Sequence, residues 1–352
     1  MKFLHCKAST ILKKPILDGT RVIKGCSMQN ISVYLNQRAS HTQFGYWKEQ
    51  IDKSLFRSTI TYRTPRDLDE LKSNLQSDID DECDAIVSVG GDGTVNTLIQ
   101  SLAGKEVGLL VMPGGTANDL ACELGHKQSV KKVTHFIRNN EYKYIDLIKI
   151  NNNFMATNGG LGMGSKVAER INEIRRAHPS FKKLMKLGGK SIYSFFILSE
   201  LTSMRLPTYK FKVTSEQFSG IVETPILMIN NQPHLAGTFN IAPNTRHDDG
   251  KFNVTILKHK THKSFVQCCY KMAIGEYPFA DPDIISFETD AITIENMDPT
   301  RIVPFFGDGE IFQNSNGNSQ KWDIQLCPRS LKVYTEDDEK SLVSLCNEVN
   351  LS

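Results

Sequence analysis

The chain has 352 residues, 39% of them hydrophobic and 23% charged, with a formal net charge of +3. That length holds one large or two ordinary domains, and the composition is that of a soluble globular protein. The charge is too small to argue for a nucleic-acid partner and suits at most a mildly basic face beside anionic lipid.

No apolar run has the length of a membrane span. The best, Ile192 to Leu201, is short and broken by Ser194, Ser199 and Glu200. Residues 1–30 carry few signals and read as an N-terminal extension, with no signal-peptide core because Lys7, Lys13 and Lys14 interrupt it. Ile31 to Leu35 alternates like a strand and runs into Asn36-Gln37-Arg38-Ala39-Ser40. A helix is expected from Trp47 to Phe56 and a strand from Ser58 to Tyr62. Thr64-Pro65 then opens a helix near Asp67 to Leu75, the proline standing at a permitted early position.

An apolar run (Ala85, Ile86, Val87, Val89) ends in Gly90-Gly91-Asp92-Gly93-Thr94, and a helical pattern starts at Val95. A strand that delivers a glycine turn to a helix N-terminus is a phosphate-binding arrangement. The glycines let backbone N–H groups approach, and the helix dipole favours negative charge. An aspartate there suits a metal or a proton, so the turn reads as built for a metal-bound nucleotide. A second buried strand, Val107 to Met112, ends in Pro113-Gly114-Gly115-Thr116-Ala117-Asn118-Asp119-Leu120-Ala121. Two such turns at strand carboxyl ends would line one crevice. Strands alternating with helices imply a parallel doubly wound sheet.

After Ile145 to Ile150 the texture changes. Strand-like runs appear at Phe211–Thr214, Thr224–Ile229, Phe252–Leu257, Ile284–Glu288, Ala291–Glu295 and Trp322–Leu326, separated by turn residues such as Asn230-Asn231. They imply a second domain, an antiparallel β-sandwich. Between the textures lies a helical stretch, Ser165 to Met204, where Arg170, Arg175, Arg176, Lys182, Lys183, Lys186 and Lys190 accompany Phe181, Leu184 and Met185. A basic amphipathic helix can lie on an anionic bilayer, though a solvated helix covering the sandwich gives the same pattern. Gly189-Lys190-Ser191 ends like a phosphate loop but lacks glycine at position 184, and Gly160 to Ser165 imitates a dinucleotide fingerprint that reads better as close backbone packing. The eight cysteines show no Cys-x-x-Cys, and the adjacent Cys268-Cys269 does not read as a zinc site, so reduced thiols and a cytoplasmic location are expected.

The Gly90 to Thr94 turn followed by Pro113 to Ala121 resembles the diacylglycerol kinase catalytic family, near its soluble bacterial lipid kinases. NAD kinases and phosphofructokinases have turns like the first; the second motif, in this order, is more specific. The resemblance implies a nucleotide domain over residues 31–145, completed by about 330–352, and a β-sandwich lipid-binding domain over 146–329. It implies ATP and Mg2+ as cofactors. Gly90, Gly91, Asp92, Gly93, Thr94, Asn96, Gly115, Thr116 and Asn118 would surround the nucleotide. Asn36 and Ser40 match a family loop, with Gln37 replacing its usual proline and Ser40 its usual glycine, and Thr64 matches a position near the adenine or ribose.

Asp92, Asp119 and Asp146 match the family's acidic network around magnesium. Each ends or adjoins a strand, where an unpaired carboxylate is costly, although a cap or turn role would also account for each. Phe305 to Glu310 resembles the family's Val-Asp-Gly-Glu segment, with Gly307 replacing the valine. Asp308 is the expected general base and Glu310 its helper; a tight Asp-Gly turn is the other reading. Arg246 to Lys251 matches a turn that can hold a structural magnesium through Asp249 and the carbonyls of Arg246 and Lys251, while Asp-Asp-Gly also makes a hairpin turn needing no ion.

The expected function is that of an ATP-dependent lipid kinase acting on a diacylglycerol-like hydroxyl, peripherally at a membrane surface. Another lipid alcohol (sphingoid base, ceramide or monoacylglycerol), NAD kinase activity, and a non-catalytic lipid- or nucleotide-binding role stand as alternatives. No nucleic acid and no transmembrane segment are expected, and a homodimer is left open.

Overall fold

The computed structural model describes residues 29–36, 44–115, 118–126, 130–177, 206–235, 239–312 and 320–336. Four strands lie parallel in the order β2 (Thr59–Arg63), β1 (Asn30–Leu35), β3 (Ala85–Gly90) and β4 (Gly108–Pro113). β1, β3 and β4 are buried almost throughout, so they carry apolar residues on both faces without alternation. Helices α1 (Phe44–Ser54) and α5 (Val130–Arg138) cover one face, packing Trp47, Ile51, Val133 and Ile137 on Val33, Val87 and Met112. Helices α2 (Leu68–Asp80) and α3 (Asp92–Leu102) cover the other, packing Leu75, Leu98 and Ile99 on Tyr34, Ile86 and Val111. The short helix α4 (Asp119–Glu123) follows β4. Asp67 caps α2 by accepting from Glu70 N, so Pro65 precedes the cap instead of standing in the first turn. The strand order reverses between β1 and β3, and ligands of open α/β sheets gather at that point.

The chain continues through β5 (Tyr142–Ile150), β6 (Asn153–Met155), β7 (Asn158–Gly162), α6 (Met163–Ala177), β8 (Tyr209–Thr214), β9 (Ser219–Thr224) and β10 (Ile226–Asn230). A small pair, β11 (His234–Leu235) with β12 (Phe239–Asn240), precedes β13 (Phe252–Leu257) and α7 (His262–Ala273). The last strands are β14 (Ile284–Thr289), β15 (Ala291–Asn296), β16 (Phe305–Gly307), β17 (Glu310–Phe312) and β18 (Lys321–Tyr334).

β18 joins the two textures. It pairs in parallel with β4 at Val333 and antiparallel with β5 and β15, with a register shift between Cys327 and Leu331. The parallel strands therefore belong to one ten-stranded sheet, β2-β1-β3-β4-β18-β15-β8-β9 with β5 and β6 attached. A second, antiparallel sheet, β14-β13-β10-β7-β16-β17, stacks on its far half. Leu161, Leu227, Val254 and Phe305 meet Ile148, Phe211, Ile294 and Trp322 in the core between them. The fold is thus mixed α/β, a parallel doubly wound part followed by an antiparallel sandwich.

The glycine run at 159–160 is part of β7, a central strand between β10 and β16. Side chains there would collide with the carbonyls of Phe306 and Leu227, so glycine is a steric requirement. Asn230-Asn231 is no exposed turn: both residues are fully buried, and Asn231 Nδ2 donates to the carbonyls of Asp146 and Ala156 at 2.9 Å. Of the helical stretch only α6 is described. Residues 178–205, with the basic amphipathic segment and Gly189-Lys190-Ser191, lie outside the described residues, as do residues 1–28. Among the described residues no helix is long and apolar enough to cross a membrane.

Candidate active site

The first glycine motif is half turn and half helix. α3 starts at Asp92, three residues before the expected Val95, with Gly91 as its N-cap and no side-chain cap bond. Asp92, Gly93 and Thr94 are its first turn, so their amides form the helix's anion-attracting end. Asn36, just past β1, donates through Nδ2 to Thr94 Oγ1 at 2.8 Å and through its amide to Val89 O at 3.0 Å. This pair spans the point where the strand order reverses.

The second motif packs directly on the first. Gly114 N donates to Gly90 O at 2.9 Å, and a methyl group on Gly115 would collide with Gly91 Cα. The glycines are thus required by each other before any ligand arrives. Asn118 adopts φ +52°, and its side chain accepts from Gly115 N at 2.8 Å and donates to Gly115 O at 2.9 Å, closing the turn. Thr64 is exposed one residue past β2 on the same sheet edge. Ser40 and Thr116 lie outside the described residues.

The acidic residues divide differently from expectation. Asp92 is half-buried, and its oxygens accept from Asn118 N at 3.1 Å and Asp119 N at 2.8 Å, bracing the start of α4. Asp146 is buried on β5, where its oxygens accept from Arg329 N at 2.7 Å and Gly250 N at 2.9 Å, pinning the irregular part of β18 to the 246–250 loop. Among the described residues, Asp92, Asp119 and Asp146 do not bring their carboxylate oxygens within 4.8 Å of one another as a set of three. The amides that engage Asp92 and Asp146 belong to different loops. In the 246–251 turn, Asp249 Oδ1 accepts from Lys251 N at 3.1 Å, and Arg246 grips Asp248 at 2.9 and 3.1 Å. Burial raises the Asp249 pKa, and the negative charges of Glu288, Asp146 and Asp248 add to it against the Lys251 amide, which lowers it. Two of those charges are already paired, Asp248 with Arg246 and Glu288 with Lys251.

The acid of the second sheet sits in a two-residue turn. Asp308 and Gly309 join β16 to β17 with φ values of +51° and +78°, the pattern of a type I′ hairpin. The turn reading and the acid reading thus meet in one residue. Asp308 is buried, and its carboxylate accepts four hydrogen bonds. Oδ2 takes Asn96 Nδ2 at 2.9 Å and Ala156 N at 3.0 Å; Oδ1 takes Thr157 N at 2.8 Å and Thr157 Oγ1 at 2.6 Å. Asn96, expected at the nucleotide, is turned instead onto Asp308 and links α3 to the hairpin. Glu310 is exposed, and its Oε1 fills the space that a side chain on Gly93 would take. The hairpin therefore brings a second carboxylate to the head of α3. Sequence reasoning passed over Ala156 and Thr157; the one signal was a polar Thr-Asn pair directly before a glycine run.

The diacylglycerol kinase catalytic domain family model matches residues 30–150. The model described as the YegS C-terminal NAD kinase beta sandwich-like domain matches residues 160–335. The diacylglycerol kinase of Bacillus subtilis (strain 168) is 27% identical over 199 residues, 56% of this chain and 62% of that protein. That of Mycobacterium tuberculosis (strain ATCC 25618 / H37Rv) is 29% identical over 183 residues, 50% of this chain and 55% of that protein. The matched stretch thus spans little more than half the length of these curated relatives. A crystal structure of a diacylglycerol kinase from Bacillus anthracis str. Sterne is alike in fold, with TM-score 0.66 at 22% identity, covering 88% of this chain and 98% of that one. With a match in each half of the chain, the protein belongs to the diacylglycerol kinase catalytic family and carries an NAD kinase-like β-sandwich behind the catalytic domain.

Proposed function

We propose that this chain is an ATP- and magnesium-dependent lipid kinase that transfers the γ-phosphate to a hydroxyl of a diacylglycerol-like lipid at a membrane surface. The observation that carries this reading is the N-terminus of α3. It lacks a side-chain cap, lies between two touching glycine turns, and meets the Asp308–Glu310 hairpin of the other sheet. Its amides would receive the phosphates, and the Asn36–Thr94 pair would bound them on the β1 side.

Two carboxylates, Asp92 and Glu310, border this helix end. A triphosphate entering there is repelled unless a divalent ion comes with it, so the residues present fit magnesium. Asp92 and Glu310 would hold it, and when bound it would neutralise the phosphate charge. Asp308 is the proton acceptor in this reading. Three of its donors are fixed by backbone or by α3, whereas the Thr157 hydroxyl can rotate away and yield its place to the lipid hydroxyl.

Transfer of labelled γ-phosphate to a panel of lipid alcohols, with a dinucleotide in parallel, tests the reading. Label on diacylglycerol supports it. Label on another lipid alcohol changes the substrate, label on the dinucleotide points to NAD kinase chemistry, and no transfer at all rejects catalysis.

A further inference from the structure

Away from the glycine turns, three side chains of metal-binding chemistry meet at the edge of the second sheet. His259 follows β13, Cys268 lies in the middle of α7, and Asp281 lies in the loop before β14. One donor atom from each stands within 4.8 Å of the others. His259 is 3% exposed and Cys268 2%. His259 Nε2 lies 3.1 Å from Asp281 Oδ2, while Nδ1 is buried without a hydrogen-bond partner.

The three donors come from anchored segments. Asp281 Oδ1 accepts from Asp283 N at 3.0 Å, and Lys258 N donates to Asp283 O at 2.7 Å, tying the segment that carries His259 to the one that carries Asp281. Thr261 caps α7 through Ser264 N at 3.2 Å.

We propose that His259, Cys268 and Asp281 form a zinc site of three protein ligands, with water in the fourth position. Thiolate, imidazole and carboxylate together suit zinc, whereas magnesium and calcium take oxygen ligands. Ligands around tetrahedral zinc stand roughly 3.3–3.8 Å apart, given metal–ligand distances of about 2.0–2.3 Å. The site thus needs only a small closure. Binding converts the Cys268 thiol to a thiolate, its proton leaving to solvent. Cys268 shares an apolar layer with Phe265, Met272 and Phe306. The ion would pin α7 across the layer that supports β16, the strand leading to Asp308.

Cobalt(II) titration of the untagged, chelator-treated full chain tests this. The expected result is a thiolate-to-cobalt absorption band with tetrahedral d–d bands, saturating at one equivalent and displaced by zinc. The bands should disappear in Cys268→Ser and persist in Cys327→Ser. Asp281→Asn should bind at least tenfold more weakly while keeping the wild-type circular dichroism, and zinc should raise the Tm of wild type but not of Cys268→Ser. Absence of a thiolate band in wild type, or its survival in Cys268→Ser, would overturn the site. If Cys268→Ser does not fold, undiminished cobalt affinity in Asp281→Asn would overturn it equally.

Discussion

Asp308 and Glu310 stand two residues apart but answer to different forces. Asp308 is buried beneath four donors, so Asp308→Ala strands backbone amides as well as the proposed base. It should cost roughly 3 kcal/mol of stability as well as turnover. Glu310→Gln changes an exposed side chain, and its stability should stay within about 0.5 kcal/mol of wild type while turnover falls. Urea unfolding beside the transfer assay checks the pair; a Glu310→Gln protein as destabilised as Asp308→Ala would contradict the division. His126 offers a pH test. Burial pushes its pKa down to about 4 from 6.5, against the pull of the Val111 carbonyl 2.9 Å from Nδ1. The unfolded chain therefore binds the extra proton between those values. Stability should be fully present above pH 6.5 and fall by roughly 2–4 kcal/mol towards pH 4. Unfolding titrations should give a shallower slope over this window in His126→Gln; an identical slope contradicts the assignment. At this scale the glycine turns and the tight Asp308-Gly309 turn were legible because turn chemistry is local. Thr157 was not, since its partner is 151 residues away. The loop amides that Asp92 and Asp146 accept from were not legible either, because a carboxylate beside a strand gives no sign of which distant backbone it will meet. Nor does the sequence bring His259 and Asp281 to Cys268, which the fold places with donor atoms within 4.8 Å of one another.

Elements were legible where they obey a period. β13 falls on the expected Phe252–Leu257, and β14 and β15 each run one residue longer than expected. β7 was missed because Asn-Gly-Gly-Leu-Gly has neither alternation nor branched residues, and its strand geometry is dictated by the neighbouring backbones. Gly160→Ala should therefore prevent proper pairing of β7 with β10, costing more than about 3 kcal/mol, a loss that thermal unfolding would reveal. β18 was read only as far as Leu326, because Pro328 argues against a strand; the register shift between Cys327 and Leu331 accommodates it. Between the two glycine turns the contact is backbone on backbone. Gly115→Ala should part them and weaken Mg·ATP binding about tenfold or more, by calorimetry, with the circular dichroism unchanged. Undiminished affinity would mean that the turns do not have to touch.

At the scale of the molecule, two sheets build one site. β18 carries the parallel sheet into the sandwich, Asn96 and Glu310 tie α3 to the hairpin of the second sheet, and Asp146 fastens the 246–250 loop to the bend in β18. A nucleotide at the head of α3 and a hydroxyl delivered past the sandwich would thus meet at Asp308. The most direct measurement is transfer of labelled γ-phosphate from ATP to diacylglycerol in vesicles by the full chain. The account predicts magnesium-dependent label in the lipid phase from wild type, lost in Asp308→Ala and sharply reduced in Gly115→Ala at limiting ATP. Labelled lipid from none of the alcohols tested, or equal transfer by both variants, would contradict it.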